Sequence, residues 1–381
     1  MDFSIPYELK ELKNLVAKFV ENEILPLEEE VEERDEIFGD KLRELTKKAI
    51  ALGLYALNMP TEYGGGGLGM MGIVLVREEL GKVILALGNR ILRRPPKILL
   101  ECSEEQKPLY LIPCCKGEKI ACFALTEPAA GSDAAAITTS AVRQGNGYVL
   151  NGRKHFISDA GEADFAIVFA VTDKKLRARG GITAFLVDKE TPGFTLGREQ
   201  KKMGWAGYPL HELIFEDCLL SEKQTLGGLG KGFELIAKFL AEGRLSLASW
   251  CVGNAEKILK LSIDYAKQRV TFGAPLSTRQ GIEWMIADSR VEIDAARLLV
   301  YHAAWKIDQG MGKPMDTSIA KLYASEMLGR VADRGVQIHG GMGYMKEYPM
   351  ERMYRDARGV RIGEGTSEMQ RHIIARTVLR D

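Results

Sequence analysis

The spacing of hydrophobic residues changes twice along the chain and divides it into three regions. From residue 6 to about residue 117, hydrophobic side chains recur every three or four positions, which predicts amphipathic helices. The strongest runs are Leu9–Val20, Lys41–Leu54 and Met70–Val83, and the loop Gly64–Gly67 precedes the third run. The first region is therefore expected to be all-helical.

In the second region, hydrophobic and polar side chains alternate with a period of two, which predicts half-buried β-strands. Gly145–Gly147 and Asn151–Gly152 carry the glycine and asparagine pattern of tight hairpins. The expected strands are Lys119–Thr126, Thr138–Arg143, Tyr148–Asn151, Lys154–Ile157, Phe165–Val171, Ile182–Asp188 and His211–Phe215. The alternation predicts a middle domain built on an antiparallel sheet.

Helical spacing returns after the glycine-rich stretch Gly227–Gly232 and predicts three long helices and a short one. These helices are expected over Phe233–Arg269, Arg279–Gln309 and Ser318–Gln337, and from Thr366 onwards. The fold class is therefore predicted to be α+β multidomain. Its expected domains are an N-terminal helical domain at residues 1–118, a middle β domain at 119–226 and a C-terminal helical domain at 227–381.

Composition narrows the class of protein. Lys and Arg total 52, and Asp and Glu also total 52, so no global basic field favours a nucleic-acid partner. The six cysteines form no CxxC pair and no zinc-ligand spacing with histidine, which predicts reduced thiols and no bound metal. No apolar run reaches ~18 residues, and the first residues lack the features of a signal peptide. A cytoplasmic enzyme or a soluble organelle protein without a membrane span is expected.

Two stretches of the middle region are suited to a planar ligand. The segment Leu125–Asp133 follows a predicted strand and offers small residues, hydroxyls and backbone amides to a ring system or a phosphate. Alternation along the next strand places Phe156 and Ser158 on one face, where they could contact a flavin, and His155 on the other. Taken singly, the first stretch is also typical of an ordinary strand end, and the second of a buried strand.

Two stretches of the third region stand where helices end. Arg269 closes a long helix before Thr271, Phe272 and Gln280, and its guanidinium suits a pyrophosphate, whereas capping of the helix explains it equally well. The turn Gln337–Tyr344 exposes backbone amides that suit adenine or phosphate oxygens, and a loose helix end is the alternative. Both functional readings need support from elsewhere in the chain.

A carboxylate near the C-terminus is a candidate for a general base. Glu364 lies between Gly363 and Gly365, so no neighbouring side chain keeps a flat ligand away. A partly desolvated glutamate has the raised pKa that removal of a carbon-bound proton requires. The alternative is a turn into a helix that Thr366 caps, with Glu364 and Glu368 complementing the helix dipole.

Signatures of several other enzyme classes are absent from the sequence. No GxGxxG fingerprint follows a strand, and Gly227–Gly232 lacks the Walker spacing. There is also no Gly-x-Ser-x-Gly elbow and no His-Glu-x-x-His helix. Nicotinamide hydride transfer, phosphoryl transfer, serine hydrolysis and zinc proteolysis therefore lose support.

In order and along nearly the whole chain, the motifs resemble those of the acyl-CoA dehydrogenases, which are flavoproteins. The segment Leu125–Asp133 is similar to the family's flavin-loop signature. The segments Gln337–Tyr344, Tyr354–Arg358 and Gly363–Thr366 are together similar to its C-terminal signature. The resemblance implies FAD as cofactor, a four-helix bundle as the C-terminal domain, and a homotetramer built as a pair of dimers.

The same resemblance implies a reaction in which a glutamate removes the pro-R α-proton of an acyl-CoA thioester while the β-hydride passes to flavin N5. The product is a trans-2-enoyl-CoA, and the electrons pass to an electron-transferring flavoprotein. Glu364 matches the family's base, and its backbone N–H would help to stabilise the thioester oxygen. In one branch of the family the base directly precedes a helical arginine, which corresponds here to Arg244. Gly243 stands in that place without a carboxylate, and Glu242 is expected to point elsewhere around the helix.

The resemblance also implies which residues contact the cofactor and the substrate. Contacts to the flavin of the same subunit are expected from Phe123, Leu125, Thr126, Gly131, Ser132, Phe156, Ser158, Thr366 and Glu368. Contacts to the FAD of a neighbouring subunit are expected from Arg269, Thr271, Phe272, Gln280, Gln337, Gly340 and Gly341. Substrate contacts are expected from Ser132, Arg244 and Gly365.

Some positions depart from the family pattern. Gly363 stands where tyrosine is common, Phe156 where tryptophan is common and Ala129 where glycine is common, and the first change implies a reshaped pocket beside the base. The segment Asn89–Pro96 combines three arginines with two prolines and is expected to be a solvated loop without a role, although it lies where acyl chains usually pass.

Two other functions are open on the same scaffold. One is an oxygen-using flavoenzyme similar to the acyl-CoA oxidases, although the usual oxidases carry extra C-terminal helices. The other is a non-catalytic acyl-CoA binding protein, against which the glutamate at position 364 speaks.

Overall fold

The computed structural model describes residues 4–37 and 39–380. Helices form the first and last parts of the chain, and the strands of the main sheet lie between Ala121 and Leu226. The predicted order of helices, sheet and helices is therefore confirmed.

Twelve α-helices are present in the described residues, and none of them is long and apolar enough to cross a membrane. In the N-terminal region these are α1 Tyr7–Phe19, α2 Glu28–Arg34, α3 Gly39–Ala51, α4 Met70–Leu80, α5 Leu85–Ile91 and α6 Ile112–Lys116. In the C-terminal region they are α7 Gly232–Gln268, α8 Gln280–Asp308, α9 Pro314–His339, α10 Gly341–Tyr344, α11 Pro349–Gly359 and α12 Ser367–Val378.

The main sheet has the strand order β6-β7-β3-β2-β4-β5-β8, with β1 paired to β4. Its strands are β1 Ala121–Ala124, β2 Ser140–Gln144, β3 Gly147–Ser158, β4 Phe165–Val171, β5 Ile182–Asp188, β6 Phe194–Glu199, β7 Leu210–Ser221 and β8 Thr225–Leu226. A separate two-stranded ribbon pairs β9 Val270–Thr271 with β10 Ala274–Pro275. Most neighbours are antiparallel, as predicted, while β4 runs parallel to both β1 and β2.

The two predicted hairpin turns have different outcomes. Gly145 and Asn146 do connect β2 to β3. Asn151–Gly152 forms no turn, because β3 continues through it as one strand with a shift of register against β7. Gly152 has a φ of 147°, and a Cβ there would lie 2.5 Å from Thr139 Oγ1, so glycine is required by close packing.

The elements that were not predicted from the sequence include the strand β6 and the helix α11. The strand β6 lies at the edge of the sheet, where none of its residues is buried, so the alternation that marks a strand is weak. The helix α11 is rich in charged residues, but Met350, Met353 and Ala357 form a buried stripe along it. Tertiary ion pairs of Arg352 with Glu28 and Arg355 with Glu32 accompany that stripe.

The helix α7 is fixed closely against α4, which sets the position of the segment that carries Arg244. A Cβ at Gly253 would approach Glu78 O within 1.8 Å, so only glycine permits this crossing. Asn254 Nδ2 donates to Gly81 O at 3.0 Å, and the hydroxyl of Ser249 donates to Val74 O. The middle of α7 is thereby fixed against α4, a few residues after Arg244.

Candidate active site

One cavity of about 800 Å³ is lined by residues from all three regions. It brings together many of the residues that the sequence predicts for the site: Phe123, Leu125, Thr126, Gly131, Ser132, Phe156, Ser158, Arg244, Glu364, Gly365 and Thr366. Since these residues span more than two hundred positions of the chain, the fold assembles them from distant motifs.

Glu364 projects into this cavity from the turn between α11 and α12. Its backbone is left-handed, with a φ of 57°, and its carbonyl oxygen accepts from Arg244 Nε at 3.2 Å and Gln370 Nε2 at 3.1 Å. Its Oε2 atom is buried without a hydrogen-bond partner in the described residues. Burial raises the pKa of Glu364, against the opposite effect of the cations Arg244, Lys321 and Arg94. The carboxyl group therefore has the desolvated character that a general base needs.

A fully buried lysine supports the turn that carries Glu364. Lys321 Nζ donates to Gly365 O at 2.7 Å, and burial lowers the pKa of Lys321 to about 8. Its electrostatic influence reaches Glu364, whose pKa it lowers. Sequence reasoning missed Lys321, because a lysine on a long amphipathic helix is normally solvated and nothing in the local pattern distinguishes this one.

The alternative interpretation of this segment, a turn that leads into a capped helix, holds for the residues after Glu364. Thr366 Oγ1 accepts from Met369 N–H at 3.3 Å and so caps α12. Glu368 lies in the first turn of that helix, exposed and outside the residues that line the cavity. Glu364 instead has its carboxylate in the cavity, so the capping and general-base interpretations apply to different residues of the same segment.

An ion pair inside the middle region fixes the predicted ligand-binding loop. Glu127 Oε1 accepts from Lys154 Nζ at 2.8 Å and from Thr139 N–H at 2.9 Å, and Oε2 accepts from Thr138 N–H at 2.7 Å. Lys154 Nζ also donates to Leu125 O at 3.0 Å. Although burial acts in the opposite direction, Lys154 and these hydrogen bonds lower the pKa of Glu127 to about 2. Neither Glu127 nor Lys154 was singled out from the sequence.

The strand β3 presents an aromatic ring to the cavity through an irregularity. The register against β7 shifts between Lys154 and Ile157, and Phe156 takes a φ of 58° and is 56% exposed. Ser158 lines the same cavity. His155 Nε2 lies 2.8 Å from Gln200 Nε2, so its contacts lie with the sheet.

Comparison with known protein families decides the affiliation of the chain. The family models named Acyl-CoA dehydrogenase N-terminal, middle and C-terminal domain match residues 6–118, 122–218 and 230–379. This chain belongs to the acyl-CoA dehydrogenase family.

Several individual proteins are similar to this chain over nearly its full length. The acryloyl-CoA reductase (NADH) of Anaerotignum propionicum is 42% identical over 385 residues, which cover 100% of this chain and 96% of the relative. The butyryl-CoA dehydrogenase structure from Megasphaera elsdenii has a TM-score of 0.93 at 36% identity, covering 100% of both chains. A chain in a solved structure of the electron transferring flavoprotein of Acidaminococcus fermentans also has a TM-score of 0.93, at 38% identity and with 100% of both chains covered.

Acyl-CoA dehydrogenases use FAD, and the chemistry of this cavity fits a flavin. Phe156 offers an exposed aromatic face, and the hydroxyl-bearing residues Thr126, Ser132 and Ser158 line the same cavity. A Cβ at Gly131 would meet nothing within 4 Å, so the loop is open toward a ligand. An aromatic face with several hydroxyls is suited to hold a planar, polar ring system.

The second group of predicted cofactor residues lies outside the cavity. Arg269 and Phe272 follow the end of α7, and Gln337 and Gly340 stand at the end of α9. These ends adjoin, since the rings of Tyr265 and His339 lie 4.4 Å apart. Thr271 lies in β9, Gln280 begins α8 and Gly341 begins α10.

These residues are available for contacts beyond their own chain. Phe272 is 99% exposed with a φ of 49°, and Arg269, Gln280, Gln337, Gly340 and Gly341 are also exposed. The guanidinium of Arg269 makes no hydrogen bond or ion pair within residues 4–37 and 39–380. Arg269 occupies the C-cap position of α7, so both readings of it from the sequence stay open.

The segment Asn89–Pro96 is not the solvated loop that its composition suggests. Arg90 and Arg93 are buried and paired, the first with Glu162 and the second with Asp159 at 2.9 Å. Arg94 lines the cavity, where Nη2 donates to Ser246 Oγ at 2.7 Å. The prediction was wrong because the anions that pair with Arg90 and Arg93 come from the distant middle region, which no local pattern indicates.

Glu242 lines the same cavity as Glu364, on the side of Asn58 and Arg94. Its Oε1 accepts from Asn58 Nδ2 at 3.3 Å and from Arg94 Nη1 at 3.5 Å. The two carboxylates are close enough for Glu242 to raise the pKa of Glu364. The expectation that Glu242 points elsewhere around the helix is therefore not met, because Asn58 and Arg94 hold its carboxylate in the same cavity as Glu364.

The space beside Gly363 is partly filled by Trp205. A Cβ at Gly363 would lie 3.5 Å from Trp205 Cη2, which is an ordinary contact, while one at Gly359 would lie 2.5 Å from Cζ2. The indole is fixed by hydrogen bonds from Trp205 N to Asp356 Oδ1 at 2.6 Å and from Nε1 to Asp356 O at 3.2 Å. Trp205 was not predicted as a site residue, since it stands alone in a loop of the middle region.

Proposed function

We propose that this chain is an FAD-dependent acyl-CoA dehydrogenase in which Glu364 removes the α-proton of an acyl-CoA thioester. The observation that carries the proposal is the buried, unpaired Oε2 of Glu364 in a cavity that also contains the flavin-loop residues. Loss of the α-proton and of a hydride from the β-carbon yields a trans-2-enoyl-CoA. The chemistry that FAD supplies when bound is acceptance of that hydride at flavin N5.

The residues around Glu364 can stabilise the negative charge that develops on the thioester oxygen. The backbone N–H of Glu364 has no acceptor in the described residues, so it is free to donate to that oxygen. Arg244 Nε donates to the carbonyl of Glu364 and Lys321 Nζ to the carbonyl of Gly365, so the two peptides that follow this N–H are held in place. A donor held in place in this way stabilises an enolate without reorganisation.

The FAD would be shared between two subunits. Phe123, Leu125, Thr126, Gly131 and Ser132, with Phe156, Ser158, Thr366 and Glu368, would contact the flavin of their own subunit, and Ser132, Arg244 and Gly365 would contact the substrate. The pyrophosphate and adenosine of a neighbour would be held by Arg269, Thr271, Phe272, Gln280, Gln337, Gly340 and Gly341. All of them except the half-buried Thr271 are exposed, which supports this role. A homotetramer with an electron-transferring flavoprotein as acceptor, in the cytoplasm, completes the proposal.

Replacement of the base tests the proposal directly. Glu364→Gln should retain FAD but lose, by several orders of magnitude, the rate of flavin reduction by acyl-CoA under anaerobic conditions. The exposed Glu347→Gln serves as a control and should behave as the natural chain does. Undiminished reduction in Glu364→Gln would refute the assignment of the base, and a purified protein without flavin would favour an acyl-CoA binding protein.

A second candidate is the same chemistry run in the direction of enoyl-CoA reduction. It is favoured by the 42% identity to a chain named acryloyl-CoA reductase (NADH). In this direction Glu364 would deliver the proton to the α-carbon. Comparison of acyl-CoA oxidation, coupled to an electron-transferring flavoprotein, with enoyl-CoA reduction by the dithionite-reduced enzyme distinguishes the two directions. Peroxide formation in air without any acceptor protein would instead indicate an oxygen-using enzyme.

A further inference from the structure

The part of the cavity around Arg94 carries an excess of positive charge. Its wall contains the cations Arg77, Arg94 and Arg244, with Lys321 directly behind it, and the carboxylates Glu242 and Glu364. Arg93 also lies in this wall, but Asp159 neutralises it at 2.9 Å. Buried charge without a counterion is costly, so this composition calls for an anion that the chain itself does not supply.

Arg77 is the clearest uncompensated cation in this group. It is 3% exposed, and the hydrogen bond that Nη1 makes goes to the neutral side-chain oxygen of Asn89. Its Nε has no partner in the described residues. Burial and the neighbouring charge of Arg94 both lower the pKa of Arg77, to about 9. A negatively charged group in the cavity would relieve both effects.

Arg94 is held so that part of its guanidinium faces the cavity. Nη2 donates to Ser246 Oγ at 2.7 Å, and Nη1 lies 3.5 Å from Glu242 Oε1, which is a long contact for an ion pair. Its remaining N–H groups have no partner among residues 4–37 and 39–380. A guanidinium oriented by a hydroxyl, with N–H groups to spare, is well suited to bind a carboxylate.

We propose that the acyl group of the substrate ends in a carboxylate, and that Arg94, with Arg77 behind it, binds this group inside the cavity. The inference rests on the proposed acyl-CoA dehydrogenase function, because the thioester must reach Glu364 in the same cavity. A short dicarboxylic acyl chain fits best, because Arg94 and Glu364 lie close together. Arg94 Nη1 is 3.5 Å from Glu242 Oε1, and a Cβ on the adjacent Gly243 would lie 2.5 Å from Glu364 Oε2. Glu242 repels the bound carboxylate and therefore lowers the affinity of the site for it.

The test compares thioesters that differ in the charge of the acyl end. Glutaryl-CoA, its methyl monoester and pentanoyl-CoA share the CoA moiety and differ at the far end of the acyl group. The specificity ratio is kcat/KM for glutaryl-CoA divided by kcat/KM for the methyl monoester, from anaerobic flavin reduction. We expect a ratio of roughly 10–100, which is the scale of hydrogen bonds to a charged group.

Two substitutions should move this ratio in opposite directions. Arg94→Gln removes the cation and should lower the ratio by about 10-fold or more, whereas Glu242→Gln removes the opposing carboxylate and should raise it. Arg143→Gln, an exposed arginine of β2 outside the cavity, serves as the matched control and should leave the ratio unchanged. Because Glu242→Gln predicts a gain, the test does not depend on Arg94→Gln folding.

Failure of this inference can be told apart from failure of the proposed function. Flavin reduction by the ester and by pentanoyl-CoA, with glutaryl-CoA the poorest substrate, would overturn the carboxylate site and leave the dehydrogenase intact. If no thioester reduces the flavin, the dehydrogenase proposal fails, and calorimetric dissociation constants for glutaryl-CoA and its methyl ester then test the anion site on their own. Equal affinities in the natural chain would overturn it.

Discussion

A Cβ atom at Gly243 would lie 2.5 Å from Oε2 of Glu364 and 2.7 Å from its Cδ. The helix α7 and the turn before α12 thus bring these two positions to the same point in the cavity. A side chain at position 243 and the carboxylate of Glu364 therefore exclude each other. Members of the family carry the base either in the turn, as Glu364, or on the helix, at the position of Gly243. The short distance between the two positions explains why a single chain has a carboxylate at only one of them.

The base should be transferable from the turn to the helix. In the double variant Gly243→Glu/Glu364→Gly, the new carboxylate starts from the point where the old one lay, so part of the activity should survive. We expect anaerobic flavin reduction at least ~10-fold faster than in Glu364→Gly alone, because a misplaced base still acts with reduced efficiency.

Gly243→Ala with Glu364 intact provides the counterpart. Alanine is favoured over glycine in a helix by about 1 kcal/mol. Its methyl group, however, would displace the carboxylate of Glu364. Flavin reduction should therefore slow, and the free energy of unfolding should rise by less than the helix preference alone predicts. A fully active and more stable Gly243→Ala variant would show that the two positions do not compete for space.

Glu364→Gly should make the protein more stable while abolishing catalysis. The left-handed backbone of Glu364 and its unpaired buried Oε2 both cost stability, and glycine removes both costs. We expect the free energy of unfolding to rise by about 1–2 kcal/mol, measured by denaturant titration. The exposed, helical Glu368→Gly should show the opposite sign, with a loss of about 1 kcal/mol.

The fold was largely predictable from the spacing of hydrophobic residues. Where the prediction failed, the failure has a physical cause. Strands β4 and β5 were placed at their observed ends because both are buried across the middle of the sheet. Asn151–Gly152 was wrongly predicted as a hairpin turn, because glycine is also typical of a β-bulge at which another strand packs closely. The strand β6 was not predicted because it lies at the edge of the sheet. An edge strand buries few side chains, so its sequence shows little alternation of hydrophobic and polar residues.

The candidate site was predictable where a motif is local and not where partners are distant. Glu364, with its flanking glycines, stands in a short recognisable segment. Three other residues, Lys321, Trp205 and Arg94, act through contacts with residues that lie far away in the sequence. The residues next to each of them in the sequence give no sign of such a role. Composition suggested a solvated loop at Arg94, although the fold turns it into the wall of a cavity.

Lys321 should set the pH dependence of the reaction. Burial raises the pKa of Glu364 and Lys321 lowers it, and the base works only when ionised, so kcat/KM should rise with pH through the pKa of Glu364. Lys321→Met removes the opposing cation and should move the acidic limb of the pH profile to higher pH. The measurement is kcat/KM against pH for both proteins.

The shift should fade where the natural lysine loses its own charge. The pKa of Lys321 is lowered to about 8, so above that pH the natural chain and the variant differ little in charge. A lower activity with an unmoved acidic limb would mean that Lys321 only supports the turn through Gly365.

Glu127→Gln should weaken both the fold and the cofactor site. The substitution leaves the fully buried Lys154 without its counterion and loosens the loop at Leu125, so the free energy of unfolding should fall by about 3–5 kcal/mol. FAD should dissociate more readily, measured by the loss of bound flavin on dilution. Glu118→Gln, exposed and just before the sheet, is the control, and a variant that keeps both properties would contradict the role given to the pair.

The packing of Trp205 can be tested with two neighbouring glycines. Gly359→Ala would force a methyl group to within 2.5 Å of the indole and should cost about 1–3 kcal/mol, whereas Gly363→Ala finds an ordinary contact at 3.5 Å. Thermal denaturation and tryptophan fluorescence of both variants provide the comparison. Equal losses would show that Trp205 does not occupy this space.

The separation of the two groups of cofactor residues has a genetic consequence, if each FAD is shared between neighbours as proposed. A Glu364→Gln allele and an Arg269→Glu allele would each be inactive alone. In a mixed two-fold pair, one of the two sites would combine the intact Glu364 of one chain with the intact Arg269 of the other. The two defective alleles would therefore complement each other in one cell, and half of the sites in each mixed pair would regain function.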